Sequence, residues 1–135
     1  MTNATVLPHI ETPTGLIRLA RPEEADELTA LALRAKAHWP YDETLLAIFR
    51  TTLRIRTADI VEHTAVVHDT DGIPNGVGIL AMHPEGPEID HLWVDPEAIG
   101  TGIGTTLAAV LIDLARQTGA ERVTLISDPY AEGFY

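Results

Sequence analysis

No cysteine occurs among the 135 residues, which excludes disulfides, zinc–thiolate sites and thiol nucleophiles. No leader is expected, since residues 1–15, MTNATVLPHIETPTG, hold neither a basic segment nor an apolar one. The longest apolar run, residues 107–112, ends at Asp113 and is too short to cross a bilayer. A cytoplasmic protein without a membrane partner is expected. Positive charge is scarce: 9 Lys and Arg stand against 20 Asp and Glu, a net charge of −11. Residues 1–56 hold seven basic and seven acidic side chains, residues 57–135 two and thirteen, and no Lys or Arg lies between Arg56 and Arg116. That balance excludes nucleic-acid and polybasic membrane-surface functions, which need cations against phosphates. Repeats, low-complexity tracts and interdomain linkers are absent too, so the sequence divides into a polar tail over residues 1–14 and one domain over residues 15–135.

With 45% hydrophobic residues the domain can bury a core. Residues 15–20, GLIRLA, alternate as a short strand does. Pro22, Glu23 and Glu24 open a helix whose buried stripe is Ala25, Leu28, Leu31, Ala32 and Ala35, and Pro40 ends it. Asp42 caps a second helix carrying Leu45, Leu46, Phe49 and Leu53, followed by a short turn after Thr57. The period then changes to two. Strands over residues 65–68 and 77–82 form a hairpin with a long loop, and a third antiparallel strand covers 88–94. A helix over residues 101–118 has Ile103, Leu107, Val110, Leu111, Leu114 and Ala115 on one face and Gly119 as its cap, before a strand over 122–127. A right-handed crossover then sets that strand parallel to 88–94. The expected class is α/β, more closely α+β: a central mixed sheet, antiparallel first and then crossing over, flanked by helices.

The most informative segment is residues 94–107, VDPEAIGTGIGTTL, between a strand and a strongly amphipathic helix. A strand, a glycine-rich turn and a helix N-terminus expose backbone N–H groups beside the positive end of the helix dipole, an arrangement that binds phosphate. A P-loop would require Gly-Lys-Ser/Thr, and Gly104 is followed by Thr105. A dinucleotide fingerprint would require glycine at 105 or 107, which are Thr105 and Leu107.

The remaining pattern resembles the GNAT superfamily of acyl-CoA-dependent N-acyltransferases, whose signature [RQ]xxGxG reads here Ile99, Gly100, Thr101, Gly102, Ile103, Gly104. Co-linear features run from about Ile17 to Tyr135: the RPEEADEL helix start, the DTDG hairpin with Gly76 and Gly78, the LWVDP strand end, the glycine loop and SDPYAEGFY. The resemblance implies a GNAT-like sheet with acetyl-CoA as co-substrate. It sets Leu92, Trp93 and Val94 along the pantetheine arm, residues 99–105 around the pyrophosphate and Asp128 at the border of CoA. Ile99 stands where the family has Arg or Gln, and Thr101 and Thr105 where Lys or Arg is frequent. The backbone amides of residues 100–104 and the hydroxyls of Thr101 and Thr105 are then left to hold the pyrophosphate. Family members continue through a full fourth helix and two more strands. The resemblance thus implies a domain truncated at the start of its fourth helix, whose last strand is an exposed edge open to homodimer pairing.

Acyl transfer to an amine requires loss of the ammonium proton, stabilisation of an oxyanion and a proton for the leaving thiolate. By resemblance Tyr135 is the acid. Strict alternation sets Glu88 and Asp90 on one face with Leu92 and Val94, and His91 on the other with Ile89 and Trp93. Glu88 matches the family's base best, with Asp90, His91 or a water chain as alternatives. Trp39 and Tyr41 fall where the family shapes its acceptor pocket. The six histidines show no HxH, HExxH or facial-triad spacing, so no metal is expected. The implied activity moves an acetyl group from acetyl-CoA to a primary amine of a small molecule or a lysine-type acceptor, by direct attack in a ternary complex. The competing reading is a non-catalytic CoA-binding or protein-interaction module.

Overall fold

The computed structural model describes residues 9–125. Six strands among them form one mixed sheet in sequence order: β1 (His9–Thr12), β2 (Gly15–Leu19), β3 (Thr64–Thr70), β4 (Ile73–His83), β5 (Gly86–Val94) and β6 (Thr124–Leu125). Every neighbouring pair is antiparallel except β5 and β6, which run parallel through Glu88 opposite Thr124 and Ile89 opposite Leu125. Helix α4 (Ile103–Gln117) supplies the crossover between them and ends at Gly119, which has φ +87°. Helices α1 (Ala25–Ala37), α2 (Glu43–Thr52) and α3 (Thr57–Glu62) lie between β2 and β3 in the chain.

The sheet carries a separate core on each face. Ile103, Leu107, Leu111 and Leu114 of α4 cover Ile17, Val66, Leu80 and Ile89. Leu28, Leu31 and Ala32 of α1, with Ile55 and Ile60, cover Ala65, Val67, Val77 and Ile79. All five stripe residues expected on the first helix are buried. Helix α4 sits close to the sheet because β4 presents Gly76 and Gly78 to it. A Cβ at Gly76 would come within 2.8 Å of Leu107 Cδ1, and one at Gly78 within 2.6 Å of Leu111 Cδ1. This approach fixes the height of the α4 N-terminus over β5.

Three expectations are corrected. Residues 9–12, read as part of a polar tail, form β1, and Ile10 pairs with Ile17. The β3–β4 hairpin has no long loop: Asp71 (φ +56°) and Gly72 (φ +85°) make a two-residue turn of the type that matches strand twist. The segment after Thr57 is a full helix, α3. Asp42 does cap α2, accepting from the Leu45 N–H at 2.8 Å. The apolar residues of that helix are nonetheless only half covered, with Leu45 41% and Ile48 48% exposed.

One buried network had no counterpart in the sequence patterns. Arg18 on β2 grips Glu24 with two parallel hydrogen bonds of 2.9 Å and donates to Asp69 on β3 at 2.6 Å. Glu24 also accepts from the Arg21 N–H at 2.7 Å, so the network clamps the entry to α1 onto the sheet. The bonds from Arg18 hold the Glu24 carboxyl below the usual carboxylate range against the opposing effect of burial, and the Arg18 guanidinium is raised in turn.

Candidate active site

The chain leaves β5 at Val94, passes through a single 3-10 turn at Pro96–Ala98, and enters the glycine run. Asp95 caps that turn through the Glu97 N–H. Gly100 (φ +87°) and Gly102 (φ +84°) adopt the left-handed conformation that side chains resist. No described residue lies within 4 Å of a Cβ placed on either, so the loop is open on its outer side among the described residues. Gly102 is the N-cap of α4, and the amides of Gly102, Ile103, Gly104 and Thr105 are the four that a helix leaves without an internal acceptor. They have no hydrogen-bond partner among the described residues. Here the loop, the helix dipole and the open space fit a pyrophosphate. Thr101 contributes less than expected, because its hydroxyl hydrogen is donated to the Ala98 carbonyl. Ile99, half-exposed, supplies no cation.

Strand β5 departs from strict alternation. Ile79 pairs with His91 and Leu80 with Ile89, so Asp90 is an inserted residue without a partner on β4. This bulge reverses the facing of the residues after it. Ile89, Leu92 and Val94 all join the core beneath α4, while Trp93 joins the core beneath α1. The expected sharing of one face by Glu88, Asp90, Leu92 and Val94 is therefore corrected. Glu88 pairs with Ala81, next to Leu80 of the α4 core, and so lies on the α1 side with His91 and Trp93.

The side chains on that face interact. Trp93 Nε1 donates to His91 Nδ1 at 3.0 Å, which holds the imidazole neutral with its proton on Nε2. Burial lowers the His91 pKa, with Asp59 and Asp90 opposing. Glu88 is raised by its hydrogen bond with Asp90, by burial and by the Asp90 charge. Burial pushes Asp90 up as well, but the bonds from Glu88 and His83 and the nearby imidazoles more than offset it, leaving Asp90 lowered. Farther along, the Lys36 ammonium lies over three rings, 4.4 Å from the centroid of Phe49, 4.8 Å from Tyr41 and 5.8 Å from Trp93. Tyr41 meets Phe49 edge to face at 5.1 Å, and Trp39 meets His38 edge to face at 5.0 Å.

Residues 17–135 match the Acetyltransferase (GNAT) family model. The chain belongs to the GNAT acetyltransferase family. Among solved structures it is similar to a GCN5-related N-acetyltransferase from Rhodopseudomonas palustris, at 24% identity over 93% of this chain and 81% of that one, with a TM-score of 0.79. It is also similar to the PaiA N-acetyltransferase from Thermoplasma acidophilum in complex with coenzyme A, at 19% identity over 87% and 82%, TM-score 0.73. A third is a GNAT family acetyltransferase from Brucella melitensis in complex with acetyl-CoA, at 21% identity over 87% and 79%, TM-score 0.62. At these identities the likeness establishes the fold. No curated protein matches the chain at a significant level.

Within this GNAT fold the candidate residues occupy both faces of one strand. Leu92, Val94 and the glycine loop belong with α4, while Glu88, Asp90, His91 and Trp93 belong with α1. Asp128 and Tyr135 lie outside the described residues. Two features escaped the sequence patterns. Arg34 on α1 reaches Asp95 at 2.7 Å and ties that helix to the entrance of the glycine loop. His83 meets Glu88 and Asp90 across the β4–β5 hairpin, a contact whose only trace in the sequence is one histidine before a tight Pro84-Glu85 turn.

Proposed function

We propose that this GNAT chain is an N-acetyltransferase that moves an acetyl group from acetyl-CoA to a primary amine of a small molecule or a lysine-type acceptor, by direct attack in a ternary complex. The observation that carries the reading is the open glycine loop, with four unpartnered amides at the N-terminus of α4, directly after β5. Acetyl-CoA would supply an activated thioester carbon. The amides of residues 102–105 would hold its pyrophosphate, and the backbone of Leu92, Trp93 and Val94 would run beside its pantetheine arm.

The acceptor arrives as an ammonium with an ordinary pKa near 10.4 and must lose a proton before it attacks. Glu88 is assigned as the base, directly or through a water, because it lies on the α1 side of β5 with the aromatic side chains. Asp90 beside it raises its affinity for a proton. Tyr135 is assigned as the acid that protonates the leaving thiolate. An ammonium acceptor is supported by the rings of Tyr41, Phe49 and Trp93, which already surround one ammonium, that of Lys36.

The test combines binding and turnover. Acetyl-CoA raises the melting temperature of the wild-type chain, as any ligand selective for the native state does. Gly102→Val removes the rise by straining the left-handed turn and filling the approach to the amides. Thiol release is then followed over a panel of amines in the wild type and in Glu88→Gln. The expected result for Glu88→Gln is turnover lower by roughly 10²–10⁴-fold with CoA affinity unchanged. No thermal shift at millimolar CoA would refute cofactor binding. A shift without thiol release from any amine would favour the non-catalytic CoA-binding module instead.

A further inference from the structure

We propose that His83, Glu88 and Asp90 form a site for one divalent transition-metal ion, with Zn²⁺ the best match. The site shares Glu88 and Asp90 with the proposed acetyl-transfer machinery, so a bound ion would occupy the assigned base, and its test is run without acetyl-CoA. It is built on the β4–β5 hairpin, where pairing of Ala81 with Glu88 and of His83 with Gly86 brings one ligand on β4 against two on β5. The His83 Nε2 lies 3.2 Å from Glu88 Oε2, and 3.2 and 3.3 Å from the two Asp90 oxygens. One ligand atom from each residue falls within 4.8 Å of the other two.

Those lengths are long for charge-assisted hydrogen bonds and close to the spacing of metal ligands. Charge-assisted N–H···O bonds settle near ~2.7–2.9 Å. Here a single Nε2 is shared among three carboxylate oxygens, none nearer than 3.2 Å. Tetrahedral zinc with bonds of about 2.0–2.2 Å holds its ligand atoms roughly 3.3–3.6 Å apart, so the His–Glu and His–Asp separations are close to edges of a zinc polyhedron. One imidazole and two carboxylates form a donor set that zinc accepts, and partial exposure leaves room for water as a further ligand. Charge favours a cation as well. Glu85 in the turn adds to the two carboxylates, and the β4–β5 hairpin itself carries no Lys or Arg.

Zn²⁺ is titrated into the full chain, without acetyl-CoA, in competition with a chromophoric chelator. One ion per chain is expected, with His83→Ala and Glu88→Gln each weakening binding by at least about 10-fold. His38→Ala, on the far end of α1, keeps the wild-type affinity. Co²⁺ in place of Zn²⁺ gives a visible absorption band that disappears in His83→Ala. Melting curves show that His83→Ala, at a half-exposed position, remains folded, so a lost band reports a lost ligand. Absence of stoichiometric binding to the wild type overturns the proposal, as does binding that His83→Ala leaves unchanged.

Discussion

Replacing Arg18 by Met removes the cation from a network in which the side chains of Arg18, Glu24 and Asp69 are all about one-tenth exposed. Two carboxylates are left out of water without a counter-charge. Breaking a buried pair in this way costs about 3–5 kcal/mol. For 135 residues at about 2.1 cal/mol/K each, the entropy of unfolding is roughly 0.28 kcal/mol/K, so the melting temperature should fall by roughly 10–18 °C at pH 7. The pH dependence gives a second check. Glu24 has a folded pKa depressed below its unfolded value, so its contribution is complete above about pH 4.5 and is lost as pH falls through the folded pKa. In Arg18→Met the strongest depressing contact is lost and only the Arg21 N–H and charge still oppose burial, so acid weakens the variant less than it weakens the wild type. Calorimetry from pH 7 to pH 4 should show the gap narrowing. A loss under about 1 kcal/mol at pH 7, or a gap that stays constant with pH, would refute the assignment of stability to this network.

Gly78→Ala should destabilise the chain by about 1–3 kcal/mol in denaturant titrations, because its Cβ would meet Leu111 Cδ1 at 2.6 Å inside a fully buried contact. The same variant should weaken CoA binding several-fold by lifting the α4 N-terminus, and unchanged binding would separate packing from cofactor capture. Ile99→Arg, at a half-exposed loop position, should tighten CoA by something on the order of 1–2 kcal/mol in calorimetric titration. If it does not, the amides and helix dipole already satisfy the pyrophosphate. Thr101→Val should alter CoA affinity less than Gly102→Val does, since the Thr101 hydroxyl hydrogen is already committed to Ala98.

The fold was legible where local chemistry and tertiary packing agree. The three-and-four spacing of the α1 stripe, the Asp42 cap and the terminal Gly119 each act through neighbours in sequence, and each occurs as the pattern implies. The β3–β4 hairpin was less legible because its strands run past their apolar residues. Asp69 and Thr70 look like loop residues, yet Asp69 is buried in the ladder opposite Leu16, its charge met by Arg18 from 51 positions away. No local pattern contains that partner. The polar start of the chain was misread for a related reason: β1 is an edge strand with three of four residues exposed, so it carries little of the apolar alternation that marks a strand.

For the candidate site, the shape of the glycine loop could be read because left-handed backbone selects glycine, and Gly100 and Gly102 adopt it. The facing of β5 could not. Alternation assumes one residue opposite one, and the insertion of Asp90 opposite the Ile79–Leu80 step breaks that count with no glycine or proline to mark it. The reversal has a chemical consequence. Without it, Glu88 would share a face with Leu92 and Val94 beneath α4, where the apolar core leaves no place for a charged acceptor. With it, the residues after the bulge turn Leu92 and Val94 toward the helix whose N-terminus carries the phosphate-binding amides. Glu88, His91 and Trp93 are left on the side of α1, beside the rings that hold an ammonium. One strand thus turns Leu92 and Val94 toward α4 and Trp93 toward α1, and the proposed reaction runs the pantetheine arm along its backbone. Direct attack requires the amine nitrogen and the thioester carbon to meet within about 3–3.5 Å on one side of that strand. The bulge is what sets the base on the amine's side.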